Sequence, residues 1–470
     1  MDVSRPAPSA PNAPTDSLAA ATAIARAVYR EGGRALIVGG WVRDRLLGLP
    51  GKDIDVEVYG LPQERLRSVL GTFGRVDAVG ESFTVYKVMG LDVALPRRES
   101  KAGRGHRAFE VRGDPAMTIG EAARRRDFTV NAILWDPLTG RYEDPVGGRV
   151  DLDRRVLRAV DRATFPDDSL RVLRGMQFAA RFGLSMDPST RELCRSIDLD
   201  DLASERVLGE LEKLLLLPSR PSSGFELGRE LGVIRRLIPE MEALIGCEQE
   251  PDWHPEGDVW VHTLMVIDEA RGLVDDLDRA RALTLMLGAV CHDFGKPSTT
   301  VFAEGRIRSP NHEPAGVPLA LAWLDRLNLH TLDGFDVRRH VVGLVAYHLA
   351  PGMWHTSPSP VGHTAFRRLA QKVDLDLLSR LARADCRGRT GAFDCSAMDW
   401  FLERARGLGV EHRPPDPILM GRHLLAIGMS PGPNVGRILK DVYEQQLEGT
   451  ITTLDEALAA ARRTLGTLPE

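Results

Sequence analysis

The sequence lacks the features that mark secreted, membrane-spanning or nucleic-acid-coating proteins. It has only five cysteines, scattered and without a C-x-x-C pair, which predicts neither a disulfide framework nor a thiolate zinc site. The longest apolar run, residues 282–291, is too short to span a bilayer. A net charge of −5 argues against a positive field over the whole surface. These absences favour a protein of the reducing cytoplasm without a membrane anchor.

The chain is long enough for several domains, since 470 residues with 43% hydrophobic content can build more than one core. Residues 1–15 are rich in Pro, Ser and Ala, which predicts a flexible leader without a signal-peptide core, and Asp16 or Ser17 is expected to cap the first helix. Short strand-like runs separated by Gly and Pro continue to about Asp151, and helical periodicity dominates beyond it. The fold class predicted is therefore α+β, with a small mixed β-sheet near the N-terminus followed by helices.

Two glycines and two aspartates near the N-terminus suggest a phosphate and metal site. Gly39 and Gly40 follow a predicted strand and precede a helix, where bare backbone N–H groups can cradle an anion. Asp53 and Asp55 are two apart on the next predicted strand and are expected to project from one face. Paired carboxylates of this kind suit two-metal chemistry on a triphosphate. A solvated strand face is the alternative.

A third carboxylate is expected from a neighbouring antiparallel strand, and Asp92 is the candidate. Glu57, on the same face as Asp55, competes for this role, but a surface position is expected for it.

Four motifs in order resemble those of the class II tRNA nucleotidyltransferases and their bacterial poly(A) polymerase relatives. They are GGWVRD at 39–44, DID at 53–55, RRDFTVNA at 125–132 and DDSLR at 167–171. The resemblance runs from about residue 20 to about residue 230, and the PILMGRHLLAIGMSPGPNVG stretch resembles the family's C-terminal tail. Two positions differ from expectation: Asp167 stands where the family usually has Glu, and Trp41 is bulky for the Gly-Gly turn.

The resemblance implies roles for specific residues. Asp53 and Asp55 would bind Mg²⁺, with Asp92 assisting catalysis. The nucleotide would be contacted by Gly39, Gly40, Arg43, Arg126, Asp127, Asn131, Asp168, Arg171 and Arg174. An arginine fork suits phosphate oxygens, and Asn or Asp suits ribose hydroxyls. The alternative for Asp127 is an internal pair with one of the arginines at 124–126.

Asp168 and Arg171 would select the base. Three residues apart on a helix, they are expected to share a face. The Watson–Crick edges of cytosine and adenine each show an amino donor beside a ring-nitrogen acceptor, which matches a carboxylate beside a guanidinium. Uracil and guanine show the opposite polarity. A surface ion pair without a role in base selection is the alternative.

A basic stretch between Arg97 and Asp127 is predicted to bind RNA or to close over the nucleotide. Basic residues outnumber acidic ones there, although the whole chain is acidic; they are Arg97, Arg98, Lys101, Arg104, Arg107, Arg112, Arg124, Arg125 and Arg126. A merely solvated loop remains the alternative.

A second constellation in the helical half resembles the HD phosphohydrolases. Its candidate metal ligands are His262, His292, Asp293, His312, His348 and Asp385, with Lys296 placed to offset phosphate charge. Imidazole and carboxylate ligands suit Mn²⁺, Fe²⁺, Ni²⁺, Co²⁺ or Zn²⁺. A scaffold whose metal site is idle is the alternative.

Together these patterns predict template-independent addition of C and A to the 3′ end of tRNA, with CTP, ATP and tRNA as partners. Poly(A) polymerase, or an enzyme adding only CC or only A, shares the same motifs. A phosphohydrolase with an RNA-binding head is the alternative of another class. The predicted domains are a nucleotidyltransferase head (16–155), an all-α neck with an RNA-binding region (156–245), an HD-type helical domain (246–412) and a helical tail (413–470). The oligomeric state is left open.

Overall fold

The structure, a computed structural model, describes residues 13–51, 53–79, 85–101 and 109–466. These residues form two compact units. The first contains the described residues up to 210 together with 230–232, and the second contains 211–229 and the described residues from 233 onward.

The first unit contains a mixed β-sheet. Its strands are β1 (Arg34–Val38), β2 (Asp55–Tyr59), β3 (Asp77–Val79), β4 (Val85–Val88), β5 (Leu91–Ala94), β6 (Arg97–Lys101), β7 (Phe109–Gly113), β8 (Leu134–Trp135), β9 (Tyr142–Glu143), β10 (Val156–Leu157) and β11 (Ser185–Met186). The seven-stranded sheet has the order β3-β4-β5-β2-β1-β8-β9, while β6–β7 and β10–β11 form separate pairs. Strands β2 and β5 pair in parallel, and the other neighbours in the large sheet are antiparallel. The predicted mixed sheet is confirmed.

Helices alternate with these strands in the chain and continue beyond them. They are α1 (Ala13–Arg30), α2 (Gly40–Leu46), α3 (Gln63–Gly71), α4 (Ile119–Arg124), α5 (Gly148–Asp153), α6 (Leu170–Phe182), α7 (Pro188–Ser196) and α8 (Ser204–Leu216). Single 3₁₀ turns form at Thr129–Asn131 and Phe165–Asp167. A core cluster that includes Leu36, Val38, Tyr59 and Leu134 lies against Met117 and Ala122.

Two local predictions in this unit were wrong. Helix α1 begins at Ala13, so neither Asp16 nor Ser17 caps it, and the predicted leader overlaps the helix; residues 1–12 lie outside the described residues. The apolar run 129–136 was predicted as one strand, but it forms a 3₁₀ turn and then the two-residue strand β8. The β-branched residues there satisfy either conformation, and periodicity over so short a run does not separate them.

The second unit is almost entirely helical. After the end of α8 it contains α9 (Ser222–Glu230), α10 (Val233–Leu237), α11 (Pro239–Glu242), α12 (Val259–Arg271), α13 (Arg279–Cys291), α14 (Lys296–Thr299), the hairpin β12 (Val301–Ala303) and β13 (Arg306–Arg308), α15 (His312–Arg326), α16 (Val337–Tyr347), α17 (Ala350–His355), α18 (His363–Ala370), α19 (Leu375–Arg387), α20 (Ser396–Gly407), α21 (Gly421–Ala426), α22 (Pro433–Glu448) and α23 (Leu454–Gly466). The predicted change from mixed sheet to helices is confirmed.

Aspartate caps fix the start of several long helices in this unit. Asp258, Asp278, Asp336 and Asp374 accept backbone N–H bonds at the start of α12, α13, α16 and α19. Helix α13 is buried on nearly every side, as its uniformly apolar sequence predicts. Within the described residues, no helix combines the length and the apolar character needed to cross a bilayer.

Candidate functional site

The Gly-Gly turn, residues 39 and 40, lies between β1 and the start of α2, close to Arg126 and Asp55. Gly39 directly follows β1 and has φ 73°, a backbone conformation that favours glycine. A Cβ atom placed on Gly39 would lie 3.6 Å from Nη1 of Arg126 and 3.8 Å from Oδ2 of Asp55. A Cβ would be in ordinary contact at these distances, so the positive φ is what favours glycine, and the bare backbone leaves the gap between the guanidinium and the carboxylate unfilled.

Two carboxylates face each other across neighbouring strands beside this turn. Asp55 begins β2 and is in register with Asp92 on β5. Asp92 was expected on an antiparallel strand, but β2 and β5 are parallel; the pairing was right and the direction wrong. Asp53 lies two residues before the start of β2 rather than within it, and the shared face of the two aspartates stays a prediction.

The electrostatics of this carboxylate group favour a cation. The surrounding protein raises the pKa of Asp55, and the charges of Asp92 and Asp53 raise it further. Lys87 on β4 donates to Asp92 (Nζ–Oδ1 2.7 Å). A cavity of about 280 Å³ opens here and is lined by Asp55, Asp92 and Arg126, among others. Clustered carboxylates with an elevated pKa are a donor set that fits a divalent metal.

Glu57 is a buried anchor for arginines, and the prediction of a surface role was wrong. Its side chain is 5% exposed and accepts hydrogen bonds from Arg125 (Nη2–Oε1 2.7 Å), Arg126 (Nη2–Oε2 3.3 Å) and Tyr59 (Oη–Oε2 2.6 Å). Burial opposes ionisation, but the charges of Arg126 and Arg125 outweigh it and lower the pKa of Glu57. Glu57 therefore fixes both arginines beside the cavity.

A buried polar network lies behind the turn. Asp127 accepts from Asn131 (Nδ2–Oδ1 3.0 Å) and from Arg174 (Nε–Oδ2 2.8 Å). Arg43 donates to Asn131 (Nη1–Oδ1 2.6 Å) and to Asp44 (Nη2–Oδ1 2.6 Å). Asp127 has an internal partner, although this is Arg174 rather than one of the arginines at 124–126. These side chains hold one another, and their contacts with a nucleotide stay a prediction.

The predicted base-reading residues are close along the chain but do not share a helix. Asp168 is extended (φ −126°, ψ 102°), and α6 begins two residues later, so the prediction that both lie on one helix was wrong. The Arg171 N–H still donates to the Asp168 carbonyl at 3.1 Å, which keeps the two within one turn. Arg171 donates through its guanidinium to the carbonyls of Thr164 (2.8 Å) and Arg125 (2.7 Å).

The basic stretch after Arg97 is described only in part. Arg104 and Arg107, and the side chains of Lys101 and Arg112, lie outside the described residues. Arg98 pairs with Asp114 (Nε–Oδ2 2.6 Å). That this basic stretch contacts RNA stays a prediction.

The second unit gathers the predicted HD residues from separate helices. His262 lies on α12, His292 and Asp293 follow α13, His312 begins α15, His348 follows α16, and Asp385 lies on α19. All of these except Asp385 are grouped by ligand-atom geometry into two sets that share Asp293: His262–His292–Asp293 and Asp293–His312–His348. Asp385 contacts the first set, with its Oδ1 3.0 Å from Nε2 of His262.

Several buried atoms in this cluster fit a metal. Nε2 of His292 has no hydrogen-bond partner among the described residues and lies 3.2 Å from Oδ2 of Asp293. Oδ1 of Asp293 is 3.4 Å from Nε2 of His312, whose Nε2 is 3.2 Å from that of His348. Burial lowers the pKa of His348 to about 4, which leaves its imidazole neutral and available as a ligand.

A close backbone approach makes this convergence possible. A Cβ atom on Gly295 would lie 2.0 Å from the carbonyl oxygen of His312. Glycine directly after the HD doublet therefore lets the start of α15 bring His312 beside Asp293.

His254 and Glu256 belong to this cluster, although no sequence pattern indicated them. Glu256 accepts from Nδ1 of His262 and from Nδ1 of His254, both at 2.9 Å. Burial opposes the charged form of His262, but its bonds to Asp385 and Glu256 raise the pKa of His262 to about 9. The carboxylate of Glu256 thus holds Nδ1 of His262 and leaves Nε2 directed at the other ligands.

The cluster opens into a cavity of about 390 Å³. Lys296 reaches into it and contacts both Asp293 (Nζ–Oδ2 2.7 Å) and Gln249 (Nζ–Oε1 2.7 Å). Arg389 adds a second cation, while Trp253 and Met353 add apolar surface. The lining combines cations suited to phosphate with flat apolar surface.

A disulfide was not predicted, but Cys386 and Cys395 form one. It joins the end of α19 to the residue before α20, beside Asp385. Sequence spacing alone did not show that this turn brings the two thiols together. Cys194, Cys247 and Cys291 are free.

Three protein-family models match successive parts of the chain. The "Poly A polymerase head domain" matches residues 35–158, the "Probable RNA and SrmB- binding site of polymerase A" matches 183–245, and the "HD domain" matches 259–387.

Relatives match nearly the whole chain. The multifunctional CCA protein of Xanthomonas campestris pv. campestris is 35% identical over 443 residues, which cover 91% of this chain and 96% of that relative. That of Halorhodospira halophila is 37% identical over 376 residues, or 77% of this chain and 85% of that relative. The chain belongs to the multifunctional CCA protein family. It is therefore a nucleotidyltransferase with an HD domain.

Solved CCA-adding enzymes share the fold of this chain. The Bacillus stearothermophilus enzyme, solved in complex with CTP, has a TM-score of 0.62 at 21% identity and covers 95% of this chain and 97% of its own. The Thermotoga maritima enzyme, solved with tRNA, has a TM-score of 0.54 at 19% identity and covers 96% of each chain. Membership of the family implies dependence on a divalent metal, and the carboxylates around Asp55 fit one.

Proposed function

We propose that this protein adds C and A nucleotides to the 3′ end of tRNA, using CTP and ATP. The observation that carries the proposal is the Asp55–Asp92 pair, which opens onto a cavity beside Arg126 and the Gly39 turn. A triphosphate requires cations and bare backbone at its phosphates, and an attacking hydroxyl requires carboxylate-held metal. The site supplies groups of both kinds within one cavity.

Magnesium would be held by Asp53 and Asp55, with Asp92 assisting. Burial first, and then the charges of Asp92 and Asp53, raise the pKa of Asp55; this supports the assignment, because a bound cation favours the ionised carboxylate. When bound, magnesium neutralises triphosphate charge and favours the ionised form of the attacking hydroxyl. The 3′-hydroxyl of the RNA attacks the α-phosphate, and pyrophosphate leaves.

The protein's own residues orient the nucleotide. Arg126, held by Glu57, points its fork toward the cavity, where it binds phosphate oxygens. Gly39 allows the triphosphate to approach the backbone. Asp168 and Arg171 read the amino group and ring nitrogen of cytosine or adenine, once Arg171 exchanges its backbone carbonyl partners for the base.

The decisive experiment incubates tRNA transcripts that end before C, after CC and after CCA with each nucleotide separately. We expect C addition to the first, A addition to the second and none to the third, with addition lost in Asp53→Ala. Glu64→Gln, an exposed change on α3, is the control that keeps activity. Unlimited A addition would identify a poly(A) polymerase, and addition of only CC or only A a partial enzyme. Full activity of Asp53→Ala would exclude the metal assignment.

We also propose a metal-dependent phosphohydrolase activity at the HD cluster, with Mn²⁺, Fe²⁺, Ni²⁺, Co²⁺ or Zn²⁺ as the metal. The unpartnered Nε2 of His292 beside Asp293 supports it. Lys296 and Arg389 would contact the phosphate. Hydrolysis of a cyclic phosphate or phosphomonoester should disappear in His292→Ala while CCA addition continues. Equal hydrolysis by the wild type and by His292→Ala would exclude the HD cluster as the hydrolytic site. Loss of CCA addition in His292→Ala would not by itself exclude it.

The domain boundaries and the cellular location are also proposals. The domain boundaries at about 155, 245 and 412 await a test by limited proteolysis. The cytoplasm, where tRNA and nucleoside triphosphates occur together, is the proposed location.

A further inference from the structure

The carboxylate of Asp168 is held by a residue that no motif singled out. Arg206, in the first turn of α8, donates from Nη1 to Oδ1 at 3.0 Å and from Nη2 to Oδ2 at 2.9 Å. Two parallel bonds from a planar guanidinium fix both the position and the plane of a carboxylate. The side chains of Arg206 and Asp168 are 28% and 30% exposed, so the pair remains accessible to a ligand.

These contacts leave few acceptor positions on Asp168. An ionised carboxylate offers about four, two on each oxygen. Oδ1 accepts from Arg206 and also from the Leu170 N–H at 3.2 Å, while Oδ2 accepts from Arg206 alone. Among the described contacts, one acceptor position therefore remains, and it is on Oδ2.

We propose that Arg206 is a positioning residue for nucleotide selection, which directs the remaining acceptor of Asp168 toward the incoming base. The inference rests on the proposed CCA addition. Cytosine and adenine each present an amino hydrogen that fills this acceptor. Uracil and guanine present a carbonyl oxygen there, whose lone pairs are repelled. A carboxylate free to rotate would distinguish these edges less well, because it could turn away from the carbonyl.

A second bond joins the same two segments without involving the carboxylate of Asp168. Ser169 and Asp201 are linked at 2.6 Å (Oγ–Oδ1). Ser169→Ala therefore loosens the segment but leaves the Arg206–Asp168 fork in place. It is the matched control for a purely structural effect.

The experiment measures single-nucleotide addition by wild type, Arg206→Ala, Arg206→Lys and Ser169→Ala. CTP is compared with UTP on tRNA lacking CCA, and ATP with GTP on tRNA ending in CC. In Arg206→Ala we expect kcat/KM for CTP and ATP to fall about tenfold, mainly through KM, and the preference over UTP and GTP to fall by about the same factor. Arg206→Lys keeps the charge but not the fork, and should recover affinity without full discrimination. Ser169→Ala should discriminate as wild type does.

Wild-type discrimination in Arg206→Ala would overturn the inference. So would an equal loss of rate in Arg206→Ala and Ser169→Ala with discrimination intact, since that indicates loosening alone. Should Arg206→Ala fail to fold, Arg206→Lys decides, because unchanged discrimination in it overturns the role of the fork. A wild-type protein that adds neither C nor A overturns the proposed function and this role together, whereas CCA addition with unchanged selectivity in the variants overturns only this role.

Discussion

Asp55→Asn should abolish nucleotide addition and, at the same time, stabilise the metal-free protein. Asp55 and Asp92 are in register on adjacent strands, about 4.8 Å apart by ordinary sheet geometry. Two negative charges at that separation repel by about 1 kcal/mol in water and by about 3 kcal/mol at an effective dielectric of 20. Asp55 is exposed and Lys87 pairs with Asp92, so solvent screening and this partial neutralisation both favour the lower figure. Removing its charge should therefore raise the free energy of unfolding by about 1 kcal/mol.

The pH dependence gives the same sign. The pKa of Asp55 is raised in the folded protein, so the folded state binds more protons than the unfolded state does between the two pKa values. The stability contributed by this residue falls as pH rises from the unfolded value, about 3.9, through the folded value. At pH 7 the metal-free wild type is fully destabilised by the ionised carboxylate of Asp55. At low pH this carboxyl is protonated and the destabilisation is absent.

The assay is urea unfolding in EDTA at pH 7 and near pH 3, followed by CTP incorporation with magnesium. The stability difference should be present at pH 7 and absent near pH 3, and Asp55→Asn should lose at least about 10³-fold in rate. Glu64→Gln, which removes an exposed charge from α3, should change neither quantity. A variant less stable than wild type in EDTA at pH 7 would refute the repulsion argument, and retained activity would refute the metal site.

Three further outcomes follow from buried contacts. Glu57→Ala should lower the free energy of unfolding by about 3 kcal/mol in urea titrations and raise the KM for CTP, because Arg125 and Arg126 lose a shared buried carboxylate. Glu57→Gln should give values between those of the wild type and Glu57→Ala. An unchanged KM would show that Glu57 does not contribute to nucleotide binding. Glu256→Gln should weaken metal binding to the second unit about tenfold, as measured by dialysis and elemental analysis, and should leave CCA addition unchanged. Equal metal affinity in the variant and the wild type would show that Glu256 does not support His262 as a ligand. Gly295→Ala should lower the melting temperature and metal content together, since its Cβ would collide with the His312 carbonyl, and a normal melting temperature would show that α15 can shift freely.

The sequence was sufficient to predict the mixed sheet and the identity of the facing carboxylates, but not the geometry between them. Alternation of apolar residues predicts that a strand exists, and it is silent about strand direction, which is why Asp92 was expected on an antiparallel neighbour. The arginine partners of Glu57 are 68 and 69 residues away in the chain. No local pattern carries that information, so its burial could not be predicted.

The helical half shows the same limit. The HD ligands lie on, begin or directly follow regular helices, where periodicity and local motifs indicate them. His254 and Glu256 lie in the irregular segment between α11 and α12, where no period exists to assign a facing direction. The only signal available was proximity, since Glu256 precedes His262 by six residues. Arg206 was missed for a different reason: on an amphipathic helix, a charged residue in the first turn is ordinarily solvated.

Asp55 and Glu57 show how one strand can support both stability and function. They are two residues apart on β2 and project from the same face, yet the pKa of Asp55 is raised and that of Glu57 is lowered. Glu57 is buried against two arginines that satisfy it, whereas Asp55 begins the strand opposite another carboxylate. In β2, Glu57 thus stabilises the fold, whereas Asp55, on the same face, destabilises it. Only the destabilised position gains from a bound cation, because Glu57 already has its counter-charges, and this asymmetry favours Asp55 over Glu57 as a ligand of the proposed metal.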